Sequence, residues 1–178
     1  MLKQALLYKR LINIEYQRIK FDDKYKFLFA HSYRNKEFDI MEGKTDWAGI
    51  ELTSVNLEGE VVGYLMATID FDWQICTGLR ILNFKNKGNL TFAKDLYQFL
   101  EELFTVHKVR KIQFQCIVGN PIEKMYLRYI KKYNGNVVGI FKNSILLSDG
   151  LIYDYTLYEI FKEDYDRITR DKRVEKII

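Results

Sequence analysis

The chain of 178 residues carries 28 Lys and Arg against 24 Asp and Glu, for a net charge of +4, and 48% of it is hydrophobic. That composition, with 13 tyrosines and 12 phenylalanines, excludes a disordered chain and is enough for one buried core. The mild positive charge suits an anionic partner but argues against a dedicated nucleic-acid binder, which concentrates far more charge on one face.

Residues 11–19 alternate in polarity and predict a strand, with Ile12, Ile14 and Tyr16 on one face and Asn13, Glu15 and Gln17 on the other. Asp22 and Asp23 open a predicted helix over 23–34, with Tyr25, Leu28, Phe29 and Ser32 at helical spacing. Residues 36–46 read as a short helix and a loop. The β-rich runs 47–55, 61–71 and 74–84 have short connections and predict an antiparallel meander. A helix follows over 91–106, capped by Asn89 or Thr91, with an inward stripe of Ala93, Leu96, Tyr97, Leu100 and Leu103 or Phe104. Residues 111–118 predict a strand with Ile112, Phe114, Cys116 and Val118 on one face. The helical crossover places it parallel to the strand before the helix. Pro121, the one proline, fits the first turn of a helix capped by Asn120 and carrying Ile122, Met125, Tyr126, Tyr129 and Ile130. Gly135 is expected to end that helix in a left-handed conformation. Strands over 137–147 and 153–161, joined by Ser148-Asp149-Gly150, close the order β α (α) β β β α β α β β. The expected fold is one α/β (α+β) domain over 1–178, its sheet mixed and mostly antiparallel with helices on both faces. Its core spans about 11–161, and 162–178 form a charged C-terminal tail in which Arg167 to Lys176 read as a solvated helix or tail.

Cys76 and Cys116 lack metal-ligand spacing, so they read as reduced, structural thiols in a cytoplasmic protein, and no metal site is expected. No apolar run approaches the ~20 residues of a membrane span, and the stretch Met1-Leu2-Lys3-Gln4-Ala5-Leu6-Leu7 is too short to serve as a secretion signal. His31 and His107 stand alone and read as packing or surface residues. The turn Lys85-Asn86-Lys87-Gly88-Asn89-Leu90 hands a strand over to a helix. The first N–H groups of a helix lack internal partners and lie at the positive end of its dipole, so this turn is a candidate cradle for phosphate oxygens.

Across about 11–161 the element order, this turn, Asn120 after a strand followed by a tyrosine-bearing helix, and the closing segment Asp149-Gly150 with Tyr153, Asp154 and Tyr158 resemble the GNAT superfamily of acyl-CoA-dependent N-acyltransferases. Lys85 stands where that family has Gln or Arg, and Leu90 where it has a second small residue. The resemblance implies acetyl-CoA as cosubstrate, lying between the strands that end near Phe84 and Val118. The main chain of Ile81, Leu82, Asn83 and Phe84 would pair with the pantetheine. Lys85, Asn86, Lys87, Gly88, Asn89 and Leu90 would hold the diphosphate, and Asn120 and Lys124, the latter with Arg128, would complete the cofactor contacts. It further implies direct attack of an amine on the thioester. Tyr126, or second Tyr129, would serve as proton donor to the leaving sulfur, and Asp70, Asp72 or Glu51 as base. The acceptor is left open between a protein or peptide amino group and a small amine. The alternative is a catalytically inactive member of this fold that binds protein or nucleic acid, a reading that Leu90 favours. An exposed edge of the final hairpin would suit a homodimer.

Overall fold

A computed structural model describes residues 1–28, 38, 40, 48–85 and 88–174. Seven strands form one sheet: β1 (Leu2–Gln4), β2 (Ala48–Val55), β3 (Val61–Asp70), β4 (Ile75–Asn83), β5 (Lys111–Ile117), β6 (Asn136–Leu146) and β7 (Ile152–Phe161). Their order across the sheet is β1-β2-β3-β4-β5-β7-β6. Every pairing is antiparallel except β4 with β5, which is parallel. Four α-helices, α1 (Lys9–Ile19), α2 (Leu90–Thr105), α3 (Glu123–Lys132) and α4 (Lys162–Val174), complete the mixed α/β architecture that the sequence predicts.

The sheet is covered on both faces. On one, Ile12, Tyr16 and Ile19 of α1 pack with Tyr64, Leu82 and Phe84. On the other, Phe99, Leu100, Leu103 and Phe104 of α2 and Tyr126, Tyr129 and Ile130 of α3 pack with Leu65, Ala67, Ile69, Ile112 and Phe114. Residues 9–19 are therefore a helix, not the strand expected over 11–19. The buried set Ile12, Tyr16 and Ile19 repeats at i, i+4 and i+7, and Ile14, expected on the same face, is 52% exposed. The predicted helix over 23–34 is a 3-10 turn over Asp23–Leu28, and its remainder lies outside the described residues. Of 36–46, only Phe38 and Ile40 are described; both are buried.

Helix α2 is turned by about one residue from the expected stripe. Phe92, Asp95, Leu96, Phe99 and Leu100 face inward, while Ala93 and Tyr97 face out. A buried aspartate concealed this phase. Asp95 Oδ2 accepts the Ser54 hydroxyl at 2.7 Å and the Met1 amine at 2.7 Å, which satisfies a charge that burial would otherwise penalise. After α3 the left-handed residue is Asn134 (φ +50°), not Gly135. Gly135 is needed for another reason: a Cβ there would stand 2.6 Å from the Glu159 carbonyl oxygen. The expected tail folds in part, since α4 buries Tyr165 against Phe104 with ring centroids 4.7 Å apart.

Gly63 in β3 is the tightest contact between sheet and α2. A Cβ on it would lie 2.2 Å from the Phe92 ring and 2.8 Å from the Leu82 carbonyl oxygen. Gly63→Ala should cost about 1–3 kcal/mol by overpacking. Urea denaturation is the check, and a change within about 0.5 kcal/mol of zero would show that Phe92 yields without loss.

Candidate active site

β4 and β5 pair at only two register steps, Ile75 with Lys111 and Cys76 with Ile112. Each strand is otherwise committed to its antiparallel partner, β4 to β3 and β5 to β7. Phe84 N donates to Val62 O at 3.0 Å. Ladder alternation then turns the main-chain groups of Leu82 and Arg80 toward β3, and those of Leu79, Ile81 and Asn83 toward β5. On β5, Val118 N donates to Asp154 O at 3.0 Å, so Gln113, Gln115 and the Ile117 N–H face back toward β4, while the Ile117 carbonyl accepts the Asn120 N–H at 3.0 Å. Past Cys76 and Ile112 these two rows face each other across a gap.

The gap is a cavity of about 290 Å³. Leu79, Arg80, Ile81 and Leu82 form one wall and Gln115, Cys116 and Ile117 the other. Asn120, Ile122 and Tyr126 also line it, and Phe27, Ile145 and Leu147 complete the lining. The turn from β5 into α3 is set by Gly119 (φ +88°), which only glycine adopts readily. Asn120 Oδ1 accepts the Ile122 N–H at 3.2 Å and holds this turn, but α3 begins only at Glu123 with Ile122 at its N-cap and no side-chain cap, so Asn120 and Pro121 precede the cap and first-turn positions expected for them.

Tyr126 is the tyrosine at the cavity. Its ring packs edge-on against Phe114 with centroids 5.1 Å apart, and Phe114 stacks on Tyr158 at 5.4 Å. Burial, then neighbouring Cys116 and Tyr158, holds the Tyr126 phenol well above the ordinary tyrosine value, so it stays protonated. Tyr129 lies elsewhere, between Tyr97 and Tyr133 in an aromatic cluster under α2. Burial likewise raises its pKa. Tyr158, whose hydroxyl donates to Glu123 Oε1 at 3.1 Å, is pushed up to about 12 mainly by burial.

The carboxylates stand apart from the cavity walls. Asp70 ends β3, opposite Ile75, and its Oδ1 accepts the Trp73 N–H at 3.0 Å, so it shapes the hairpin at the paired end of β4. Asp72 lies in that same exposed turn. Glu51 accepts the Tyr64 hydroxyl at 2.8 Å and shares a cross-strand row with Met66 and Arg80. Lys124 and Arg128 lie on α3, which packs its tyrosines inward and leaves Arg128 exposed.

Between β4 and α2, Phe84 is fully buried. Its carbonyl accepts Arg18 Nη2 at 2.6 Å and the Tyr25 hydroxyl at 3.4 Å, which ties α1 and the 23–28 turn to the end of β4. Asn89 caps α2 by accepting the Phe92 N–H at 3.2 Å; Thr91 is not the cap. Lys85 pairs with Glu60 at 3.6 Å, and Leu90 is 78% exposed, directed away from the body of the protein. Asn86 and Lys87 lie outside the described residues. Among the described residues no group of three or more His, Cys, Asp or Glu is placed to hold a metal ion, and no helix is long and apolar enough to cross a membrane.

This arrangement of strands recurs in solved structures. A spermidine N-acetyltransferase from Vibrio cholerae, solved with CoA and spermine, superposes with a TM-score of 0.67 over 93% of this chain and 96% of that one at 14% identity. A candidate acetyltransferase from T. thermophilus gives 0.66 over 98% and 92% at 17% identity. Another candidate acetyltransferase gives 0.56 at 20% identity over 71% of this chain, which spans 64% of that one. The chain has the acetyltransferase fold. It is the GNAT-type fold that the turn after β4 and the element order resemble. No protein-family model and no curated protein matches the sequence.

Both cysteines are buried and unpaired with each other, and burial first of all pushes each thiol up to about 12. A thiol at 12 holds roughly three orders of magnitude less thiolate at pH 8 than a solvent-exposed one. Iodoacetamide at pH 8 should therefore leave Cys76 and Cys116 intact in the folded protein and alkylate both in denaturant, as read by intact mass. Rapid labelling of Cys116 in the folded state would show that its cavity wall carries an activated thiol.

Proposed function

We propose that the protein is an acetyl-CoA-dependent N-acetyltransferase whose acceptor is a small primary amine. One observation carries this reading: two rows of main-chain N–H and C=O groups face each other across the β4–β5 gap with no ladder between them. Polar main-chain groups in a sheet interior require partners. A flexible chain bearing its own amides, as the pantetheine arm of CoA does, fits between the rows and hydrogen-bonds as an extra strand. Ile81 and Asn83 are the β4 residues whose groups point that way, whereas those of Leu82 and Phe84 turn toward β3; the Leu82 side chain lines the cavity. The diphosphate falls to the turn from Lys85 to Leu90, where the first N–H groups of α2 point outward from a helix capped by Asn89. Asn120 sits at the cavity end of β5 and Lys124 farther along α3, toward solvent. The V. cholerae structure with CoA and spermine supports both the cosubstrate and the small amine.

In the reaction the neutral amine nitrogen bonds to the thioester carbonyl carbon, the C–S bond breaks, sulfur leaves with the bonding pair, and the nitrogen gives up one proton. Holding the two reactants together within the cavity supplies most of the acceleration. Tyr126 is the group we place at the departing sulfur, and Tyr129, packed under α2, is set aside. With its pKa raised, Tyr126 is protonated throughout the working range, and it stabilises thiolate by donating a hydrogen bond; full transfer of its proton to a thiolate of pKa ~8.5 is uphill. The described cavity walls hold no carboxylate. The amine therefore loses its proton at the mouth through water, and Glu51, in the row of Arg80, is better placed to receive it than Asp70.

Pairing of two copies belongs to the same reading. β6 is an edge strand with Val137, Val138, Ile140 and Phe141 all exposed and Lys142 as its sole charge, so an antiparallel copy of itself is its natural partner. Sedimentation at micromolar concentration should give a dimer, and Ile140→Lys a monomer; a wild-type monomer would remove the interface.

Millimolar acetyl-CoA should raise the melting temperature by mass action, whereas an inactive binding module gives a flat response. Tyr126→Phe should lower kcat about 100-fold, the scale of losing one hydrogen bond to the developing negative charge, while leaving acetyl-CoA affinity unchanged. Undiminished turnover would remove Tyr126 from this role.

A further inference from the structure

At the mouth of the cavity an alkylammonium already sits in a built site. Lys26 Nζ lies 3.0 Å from the Tyr153 hydroxyl and 3.5 Å from Asp149 Oδ2, and it stands 5.0 Å from the Phe27 ring centroid and 5.3 Å from that of Tyr153. The two rings meet edge to face at 5.8 Å. The Tyr153 hydroxyl donates to Asp149 Oδ2 at 2.7 Å, and Asp149 Oδ1 accepts the Leu151 N–H at 3.0 Å, so the carboxylate is fixed before any cation arrives. A carboxylate, a phenol oxygen and the Phe27 ring around one point are what a primary ammonium needs when it leaves water. The site adjoins the cavity, because Phe27 and Leu147, two residues before Asp149, line its wall.

We propose that Phe27, Asp149 and Tyr153 form an alkylammonium subsite at the cavity mouth, and that Lys26 is its exchangeable internal occupant. This rests on the transferase reading only in naming the ligand's destiny: an acceptor carrying two amino groups anchors one here and directs the other into the cavity. The charge state suits exchange of one cation for another. The hydrogen bond with Tyr153 and the charge of Asp149 keep Lys26 protonated, and hydrogen bonds from Tyr153 and the Leu151 N–H keep Asp149 ionised. Lys26 and Asp149 remain 35% and 25% exposed, and an ion pair in contact with water is held weakly enough to be displaced. Lys26 thus competes with the acceptor and weakens its binding.

The test is calorimetric titration of 1,4-diaminobutane into the full chain without acetyl-CoA. Lys26→Met, which removes the competitor, should tighten binding about fivefold, the worth of one exposed pair. Adding Asp149→Asn, which keeps the acceptor for the Leu151 N–H, should abolish the gain; Tyr153→Phe in the Lys26→Met background should reduce it and serves if the first pair fails to fold by circular dichroism. Equal affinity for wild type and Lys26→Met, or an unchanged gain after Asp149→Asn, overturns the subsite. Diamine binding with these responses but no acetyl transfer would keep the subsite and remove the transferase. Transfer to n-butylamine with diamine affinity insensitive to Lys26 would do the reverse.

Discussion

The hydrogen-bond ladder between β4 and β5 governs the molecule, because it closes for two residues and then stops. Two antiparallel blocks, β1 to β4 and β5-β7-β6, meet along this short parallel seam. Its base is clamped: Arg110 N donates to Gln74 O at 2.7 Å and Arg110 Nε to Trp73 O at 2.9 Å. Above the clamp each strand follows the twist of its own antiparallel partner, and the two part company. A sheet normally satisfies its main-chain groups internally. Here the β4–β5 seam provides a ladder for two steps only.

The opening is held by packing and cannot relax shut at small cost. Below it, Phe114 meets Tyr126 edge-on and stacks on Tyr158, which fixes α3 against β5. Above it, Arg18 and Tyr25 hold the Phe84 carbonyl, which fixes the end of β4 to α1. Gly63 allows Phe92, in the first turn of α2, to pack directly onto β3 opposite the end of β4. Closing the seam would require displacing several of these contacts together, and a close-packed interior offers them little slack.

What could be read from the sequence followed from periodicity and ended where periodicity is ambiguous. Strands β2 to β7 and helices α2 and α3 have patterns long enough to separate a period of 2 from one of 3.6. Residues 11–19 satisfy both: Ile12, Ile14 and Tyr16 alternate, while Ile12, Tyr16 and Ile19 lie on one helical face, and burial against Tyr64 and Leu82 selects the helix. Asp95 was invisible as an inward residue because its partners, Ser54 and the Met1 amine, are remote in sequence. The same limit hid Lys26 and Asp149, which are separated by 123 positions and brought together by the fold. Tyr126 and the turn after β4 were legible as candidates because each follows a strand end. The assignment of Tyr126 to the cavity and Tyr129 to the helix interface needed the coordinates, since three residues along a helix share one broad face.

A division of labour explains how this fold persists at 14–20% identity to its structural neighbours while no family model matches the sequence. The rows of groups that face the gap belong to the main chain, and any sequence that keeps the strands apart presents them. Side chains there need only be apolar and of suitable size, which Leu79, Ile81, Ile117 and Ile122 satisfy as well as many others would. A particular residue is needed where a backbone conformation or a side-chain acceptor is required: Gly119 with its positive φ, Asn89 as the cap of α2, Asn120 in the turn before α3. Those few positions are scattered along the chain and leave almost no contiguous motif. The residues around the mouth, Lys26, Phe27, Asp149 and Tyr153, stand outside the packing that holds the seam. They can be substituted without disturbing the contacts that keep the two blocks apart.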